Sequence, residues 1–148
     1  MLIGDLAHRG AQLWGDRVAF TWESRTRTYA EVADRTARLA SVPADAGVEE
    51  GTRIATLSTN DPDVIELCFA ASLLGAVVVP LNVRLLGDEL RFQIEDAGVT
   101  HALVHPSLAG LAEDSGVAAR HAWFLGSALD AVLAAADPRP PSAPPPAR

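Results

Sequence analysis

Residues 47–98, GVEEGTRIATLSTNDPDVIELCFAASLLGAVVVPLNVRLLGDELRFQIEDAG, decide the fold. They contain two strand–helix units in succession. Residues 54–57 form a short apolar strand. Asp61 and Pro62 then supply an N-cap and a first-turn proline. The helix expected over 62–74 is apolar on nearly all sides past Glu66, so it should pack beneath other structure. Gly75 fits the left-handed position that closes it. Residues 77–81 are a β-branched run of the kind found in parallel strands covered on both faces. Gly87 and Asp88 open another helix, with Leu90, Ile94 and Ala97 on one face and Gly98 at its end. Downstream, residues 102–104 and 122–125 read as further strands, with a short helix from Ser107 between them. Strands and helices alternating in this way give a parallel sheet with right-handed crossovers.

Upstream the pattern changes. Residues 2–14 carry Leu2, Leu6, Ala7 and Leu13 at the spacing of a modest amphipathic helix. Residues 17–22 and 26–29 are two strand candidates around the polar turn Glu23, Ser24, Arg25, and are expected as a hairpin. Thr28 and Glu31 match a capping box, so a helix should begin at Tyr29. Its stripe is Tyr29, Ala33, Thr36, Ala37 and Ala40, and Pro43 marks its expected end. The fold class is therefore α/β: a doubly wound, mostly parallel sheet with flanking helices, preceded by an N-terminal helix and a short β-hairpin.

The last twelve residues, DPRPPSAPPPAR, include six prolines and nothing strongly apolar. Such a segment buries too little surface to offset the entropy of ordering it, so residues 137–148 are expected as a disordered tail and residues 1–136 as one domain. The formal net charge is −7 and all twelve basic residues are arginine. That balance argues against a nucleic-acid surface, which needs clustered cations to displace counterions. It also excludes any mechanism that requires an ε-ammonium group. Cys68 is the only cysteine. No intrachain disulfide or cysteine-built metal site follows from one thiol, and Cys68 reads as a small buried hydrophobe in the middle of a helix. The uncharged run 67–83 contains Gly75, Pro80 and Asn82, so it reads as a helix entering a strand rather than a membrane span. The N-terminus lacks a basic region followed by an apolar run, and the expected location is the cytoplasm.

Ligands of open parallel sheets gather outside the carboxyl ends of the strands. Those ends are Ser58–Thr59–Asn60, Pro80–Leu81–Asn82 and His105–Pro106. Asn60 and Asn82 read either as turn and cap residues or as the lining of a cleft. Arg84 reads either as a solvated surface residue or as a phosphate holder. His101, His105 and His121 fit no metal-ligand spacing and read as structural histidines; His8 reads as exposed. Motifs for a phosphate loop, a dinucleotide fingerprint, a nucleophile elbow and a zinc-protease helix do not occur.

Several phrases together resemble the adenylate-forming superfamily of acyl-CoA synthetases, luciferases and peptide-synthetase adenylation domains. They are Thr28-Tyr29-Ala30-Glu31-Val32, Gly51-Thr52-Arg53-Ile54-Ala55, Asn60-Asp61-Pro62-Asp63 and the stretch FAASLLGAVVVPLNVRLL at 69–86. Asp88-Glu89-Leu90 and Asp96-Ala97-Gly98 follow. The wording is similar to the acyl-CoA synthetase branch over residues 17–104.

The resemblance implies the N-terminal part of a domain that uses ATP, Mg²⁺ and CoA to convert a carboxylate to an acyl-adenylate and then a thioester. It also implies that the phosphate loop and the catalytic lysine lie downstream, so no catalytic residue and no metal ligand is assigned and no cofactor is expected on this chain alone. Asn82 and Arg84 match the family's PLNxR and, by the resemblance, lie near the route taken by CoA. Three readings follow. The first is a partial, inactive piece of an acyl-activating enzyme. The second is an interaction module or half of a split synthetase, pairing with a complementary chain or with itself through an open sheet. The third is an unrelated flavodoxin-like nucleotide-binding domain.

Overall fold

Four parallel strands make the sheet, in the order β4-β3-β5-β6: β3 is Arg53–Leu57, β4 Val77–Pro80, β5 His101–Val104 and β6 His121–Phe124. The structure is a computed structural model, and it describes residues 2–138. Ahead of the sheet come α1 (Asp5–Trp14), a two-stranded hairpin of β1 (Val18–Trp22) and β2 (Arg25–Thr28), and α2 (Tyr29–Asp45). The crossovers are α3 (Pro62–Leu74), α4 (Gly87–Asp96) and α5 (Ala109–Ser115), and α6 (Ser127–Ala135) follows the last strand.

Period-two alternation sorts the core into two layers. Ile54 and Leu103 point to one face, where they meet Leu39 and Ala40 of α2, Leu67 and Ala70 of α3, and Leu129 and Leu133 of α6. Ala55, Leu57, Ala102 and Val104 point to the other, against Leu90 and Ile94 of α4 and Ala112 of α5. Helices on both faces make the sheet doubly wound, as the alternation predicts. Ile54 is 0 % exposed, and burying a side chain of that size contributes about 1.5–3 kcal/mol.

The local signals mostly hold. Thr28 Oγ1 accepts from Glu31 N at 3.3 Å while the Glu31 carboxylate accepts from Thr28 N at 2.7 Å, closing the capping box at the start of α2. Asp61 caps α3 through Asp63 N at 2.8 Å, and Gly75 ends that helix at φ 69°. The hairpin turns one residue more tightly than the sequence suggests, with Glu23 at φ 50°.

Several expectations are refined. The run 77–81 is packed on both faces, Val78 against the layer of α2 and α3 and Val79 against that of α4 and α5, but β4 is the edge of the sheet and Val77 at its start is 46 % exposed. A β-branched run reports strand propensity and cannot by itself tell an edge from a centre. Pro43 does not end α2, which runs two residues further to Asp45. A proline in the last turn forfeits a single backbone bond, its ring is buried, and its carbonyl accepts from Val48 N at 2.9 Å. The expected stripe of α1 faces the core only in part. Leu6 and Leu13 are exposed, and the helix is buried through Ala7 of that stripe and through Gly10. Gly10 lies so close to the Tyr29 ring that an added Cβ would stand 2.5 Å from Cδ1.

Fourth, Cys68 is exposed on α3 rather than buried, although partial burial of the sulfur pushes its thiol pKa up. Ile65 on the same helix is 45 % exposed, so α3 keeps one stripe open while α1, α2 and the sheet cover the rest. One helix went unread in the sequence: α6 has no side-chain cap and no strong polar face, and its apolar signal is Leu129 and Leu133 at i, i+4. Residues 139–148 of the proline-rich tail lie outside the described residues. The first residue of that tail is held, since the Asp137 carbonyl accepts from Ser41 Oγ at 2.6 Å.

Candidate functional site

A cleft of about 540 Å³ opens where the hairpin meets the carboxyl ends of β3 and β4. Its floor is Thr56 with Ser58, Thr59 and Asn60, the residues leaving β3. One wall is the head and side of α3, from Pro62 to Val64 and Ile65; Pro80 and Leu81 close the β4 end. The opposite wall is β1, which contributes Phe20 and Trp22. In the strand order the direction of winding reverses between β3 and β5, and that crevice is where open sheets usually bind ligands. Here the cleft is displaced by one strand, because the hairpin supplies a wall beside β3 and β4.

The chemistry of the lining is narrow. Asp61 is its one titratable residue, and its Oδ1 is engaged in capping α3. Ser58 Oγ donates to the Thr59 carbonyl at 2.8 Å. The lining contains no cation, no thiol and no imidazole, so the cleft has no group to balance a phosphate, and its one carboxylate is occupied as a helix cap. Among the described residues no cluster of His, Cys, Asp and Glu is arranged to hold a metal ion.

The structure separates the residues singled out in the sequence. Asn60 lines the cleft. Asn82 does not; its Oδ1 accepts from Arg84 N at 3.0 Å, an Asx turn in which both residues are exposed. Arg84 makes no ion pair among the described residues. His105 caps the short 3₁₀ turn after β5, its Nδ1 accepting from Ser107 N at 3.2 Å. His101 is buried, with Nε2 donating to the Ala46 carbonyl at 3.2 Å and Nδ1 against Thr100 Oγ1 at 2.8 Å. Its ring stacks on His121, 5.4 Å between centroids, and on Trp123 at 5.8 Å. His8 is exposed, beside Gln12.

What sequence reading missed is a buried charge cluster beside the cleft. Glu66 is 0 % exposed and Asp63 3 %, one turn apart on α3. Arg27 of β2 donates from Nη1 to Asp63 Oδ1 and to Glu66 Oε1, both at 2.8 Å. Arg35 of α2 uses three nitrogens: Nε to Glu66 Oε2 at 2.9 Å, Nη2 to Asp63 Oδ1 at 2.8 Å, and Nη1 to Asp130 Oδ1 at 2.8 Å. Burial pushes the Glu66 carboxyl up, with Asp63 adding to the rise, and this outweighs the pull of Arg35 and Arg27 in the other direction. Burial alone would lower Arg35, but its bond to Glu66 and the charges around it hold it above its ordinary value. Both groups move up for different reasons: burial prevails at Glu66, which is wholly enclosed, and pairing prevails at Arg35, whose side chain keeps 18 % of its surface. The available signal was Asp63 and Glu66 in a helix otherwise apolar, since buried carboxylates require partners.

The fold and cleft together define a partial doubly wound α/β unit with a hairpin wall. The chain belongs to the AMP-binding enzyme family, whose model matches residues 7–146. It is 39% identical over 106 residues to 2-succinylbenzoate–CoA ligase of Geobacillus kaustophilus, covering 72% of this chain and 22% of that protein. It is 41% identical over 117 residues to feruloyl-CoA synthase of an Amycolatopsis species, covering 79% and 23%. Among solved structures, the N-terminal domain of FACL13 from Mycobacterium tuberculosis superposes with a TM-score of 0.88 at 25% identity, over 97% of this chain and 38% of that one. A long-chain-fatty-acid CoA ligase assigned in Rhodopseudomonas palustris gives 0.84 at 28% identity, over 98% and 38%. The chain thus spans about a quarter of the length of the curated relatives it matches. The family match sets aside the unrelated flavodoxin-like reading.

Proposed function

We propose that these residues are the N-terminal scaffold of an acyl-CoA ligase, contributing sheet, helices and one side of a cleft to a reaction whose charged machinery lies elsewhere in the domain. The reaction is ATP-dependent conversion of a carboxylate to an acyl-adenylate, followed by transfer to the thiol of CoA. One observation carries the reading: a cleft at the carboxyl ends of the strands whose lining contains no cation, in a chain without lysine. Charge building on a phosphoryl group in flight needs fixed positive partners, and this chain's arginines near the cleft are committed to Asp63 and Glu66. Alone, the chain is inactive. Asn82 and Arg84, on the exposed loop after β4, are proposed to face the CoA side of the complete domain. The relatives' names point to acids of different kinds, so the acid is left unassigned, and the cytoplasm is the proposed location; no described helix is long and apolar enough to cross a membrane.

The test is carboxylate-dependent ATP–pyrophosphate exchange, run on the purified chain and on a chimaera carrying it in front of the downstream part of the Amycolatopsis feruloyl-CoA synthase. No exchange from the chain and measurable exchange from the chimaera is expected. Exchange by the chain itself, with contaminating ligase excluded, overturns the proposal.

A second reading, half of a split synthetase completed by another chain or by a second copy, is favoured by the uncovered edge at β4, whose outer backbone groups have no strand partner among the described residues. Sedimentation of the chain with and without a separately expressed downstream half distinguishes it: a stable pair supports it, and two unmixed species contradict it.

A further inference from the structure

We propose that Arg27 is a positioning residue that holds the hairpin wall of the cleft against α3, and so sets the cleft's width. This inference rests on the geometry of the hairpin and stands apart from the functional reading.

Backbone bonds tie the hairpin to the rest of the fold at one end. There, Tyr29 N donates to the Arg17 carbonyl at 3.0 Å, where β2 runs into α2. The other end is the exposed turn at Glu23 and Ser24. Cross-strand register pairs Phe20 with Arg27 and Trp22 with Arg25, and directly opposed side chains share a face of the ribbon. Arg27 therefore projects from the same face as the two aromatic residues that line the cleft. Its Nη1 reaches Asp63 and Glu66 at 2.8 Å each, on the helix whose Pro62 and Ile65 form the facing wall. Between them, Phe20, Trp22, Arg27 and Pro62 leave a gap of about 10 Å³. A charged bond to wholly buried carboxylates is stronger than an exposed pair, and among the described residues no other ion pair joins the hairpin to α3.

The two arginines of the cluster bind in different ways. Arg27 makes both bonds from one nitrogen, whereas Arg35 spreads three nitrogens over three carboxylates. A lysine ammonium is a point charge with three donors, able to replace the first arrangement but not the fork of the second.

The experiment uses the full chain labelled with 5-fluorotryptophan, the Trp22 fluorine line assigned with W22F, and each variant's fold checked by circular dichroism. R27M is expected to shift the Trp22 line and raise its solvent isotope shift, R27K to restore the wild-type position, and R35M to lower the melting temperature while leaving the Trp22 line in place. If R27M does not fold, R27Q replaces it, and an open R27Q beside a closed R27K gives the same support. A folded R27M or R27Q with an unmoved Trp22 line overturns the proposal. So does an R35M that moves the line as far as R27M does, or an R27K that fails to restore it.

Discussion

Replacing Arg35 with methionine removes three charged bonds and leaves the enclosed Glu66 carboxylate with Arg27 as its only cation. The bond to Asp130 contributes little to the loss, because that carboxylate is 48 % exposed and pairs of that kind are worth about 0.2–1 kcal/mol. The bonds to Asp63 and Glu66 dominate, and breaking a buried pair from one side costs about 3–5 kcal/mol. Arg27 still screens both carboxylates, which places the expected loss near the lower end, about 3 kcal/mol. For a chain of this size that lowers the melting temperature on the order of 10 °C. The assay is urea denaturation followed by far-ultraviolet circular dichroism, comparing wild type, R35M and R35M/E66Q. The double variant should recover part of the loss, since the penalty belongs to an under-compensated charge and E66Q removes it. A loss under about 1 kcal/mol in R35M, the range of a surface pair, or a double variant no more stable than R35M, refutes the reasoning.

Other perturbations follow from the same geometry. Gly10→Ala should cost about 1–3 kcal/mol by driving α1 away from the Tyr29 ring, more than the roughly 1 kcal/mol that alanine gains in a helix; a thermal melt at or above wild type contradicts the close contact. Asp61→Ala removes the α3 cap and should cost about 1 kcal/mol, read from the urea midpoint, with an unchanged midpoint as the contrary result. The raised Glu66 carboxyl fixes the sign of a pH effect. The folded state binds that proton more tightly than the unfolded one, so Glu66's contribution is fully present below the ordinary value of 4.5 and is lost as pH rises through its folded pKa. The melting temperature of wild type minus that of E66Q should therefore fall as pH rises from 4.5 towards neutrality, and a difference that climbs over that interval contradicts the direction.

The parts of the fold legible in the sequence are those set by short-range chemistry. The Thr28–Glu31 capping box, the Asp61–Pro62 start of α3 and Gly75 at its end each involve residues within four positions, and each is where the sequence places it. The four parallel strands follow from apolar runs between helical periods. What the sequence concealed is long-range. Whether residues 77–80 lie at the edge or centre of the sheet depends on where β5 goes, and β5 pairs with β3 rather than β4. The leucines of α1 misled because a helix can pack through its small residues, as Ala7 and Gly10 do, and leave Leu6 and Leu13 outside. Of the candidate site, Asn60 is in the cleft, while Asn82 makes the turn that its own side chain favours. The cleft's aromatic wall and the charge cluster were invisible because they assemble from β1, β2, α2, α3 and α6, with pairs such as Arg35 and Asp130 lying 95 residues apart.

The central claim, that this part of the domain frames the reaction without gripping the nucleotide, is tested most directly by titrating magnesium–ATP into the purified chain in a calorimeter. The account predicts no saturable heat at millimolar nucleotide. A saturable isotherm with micromolar affinity contradicts it.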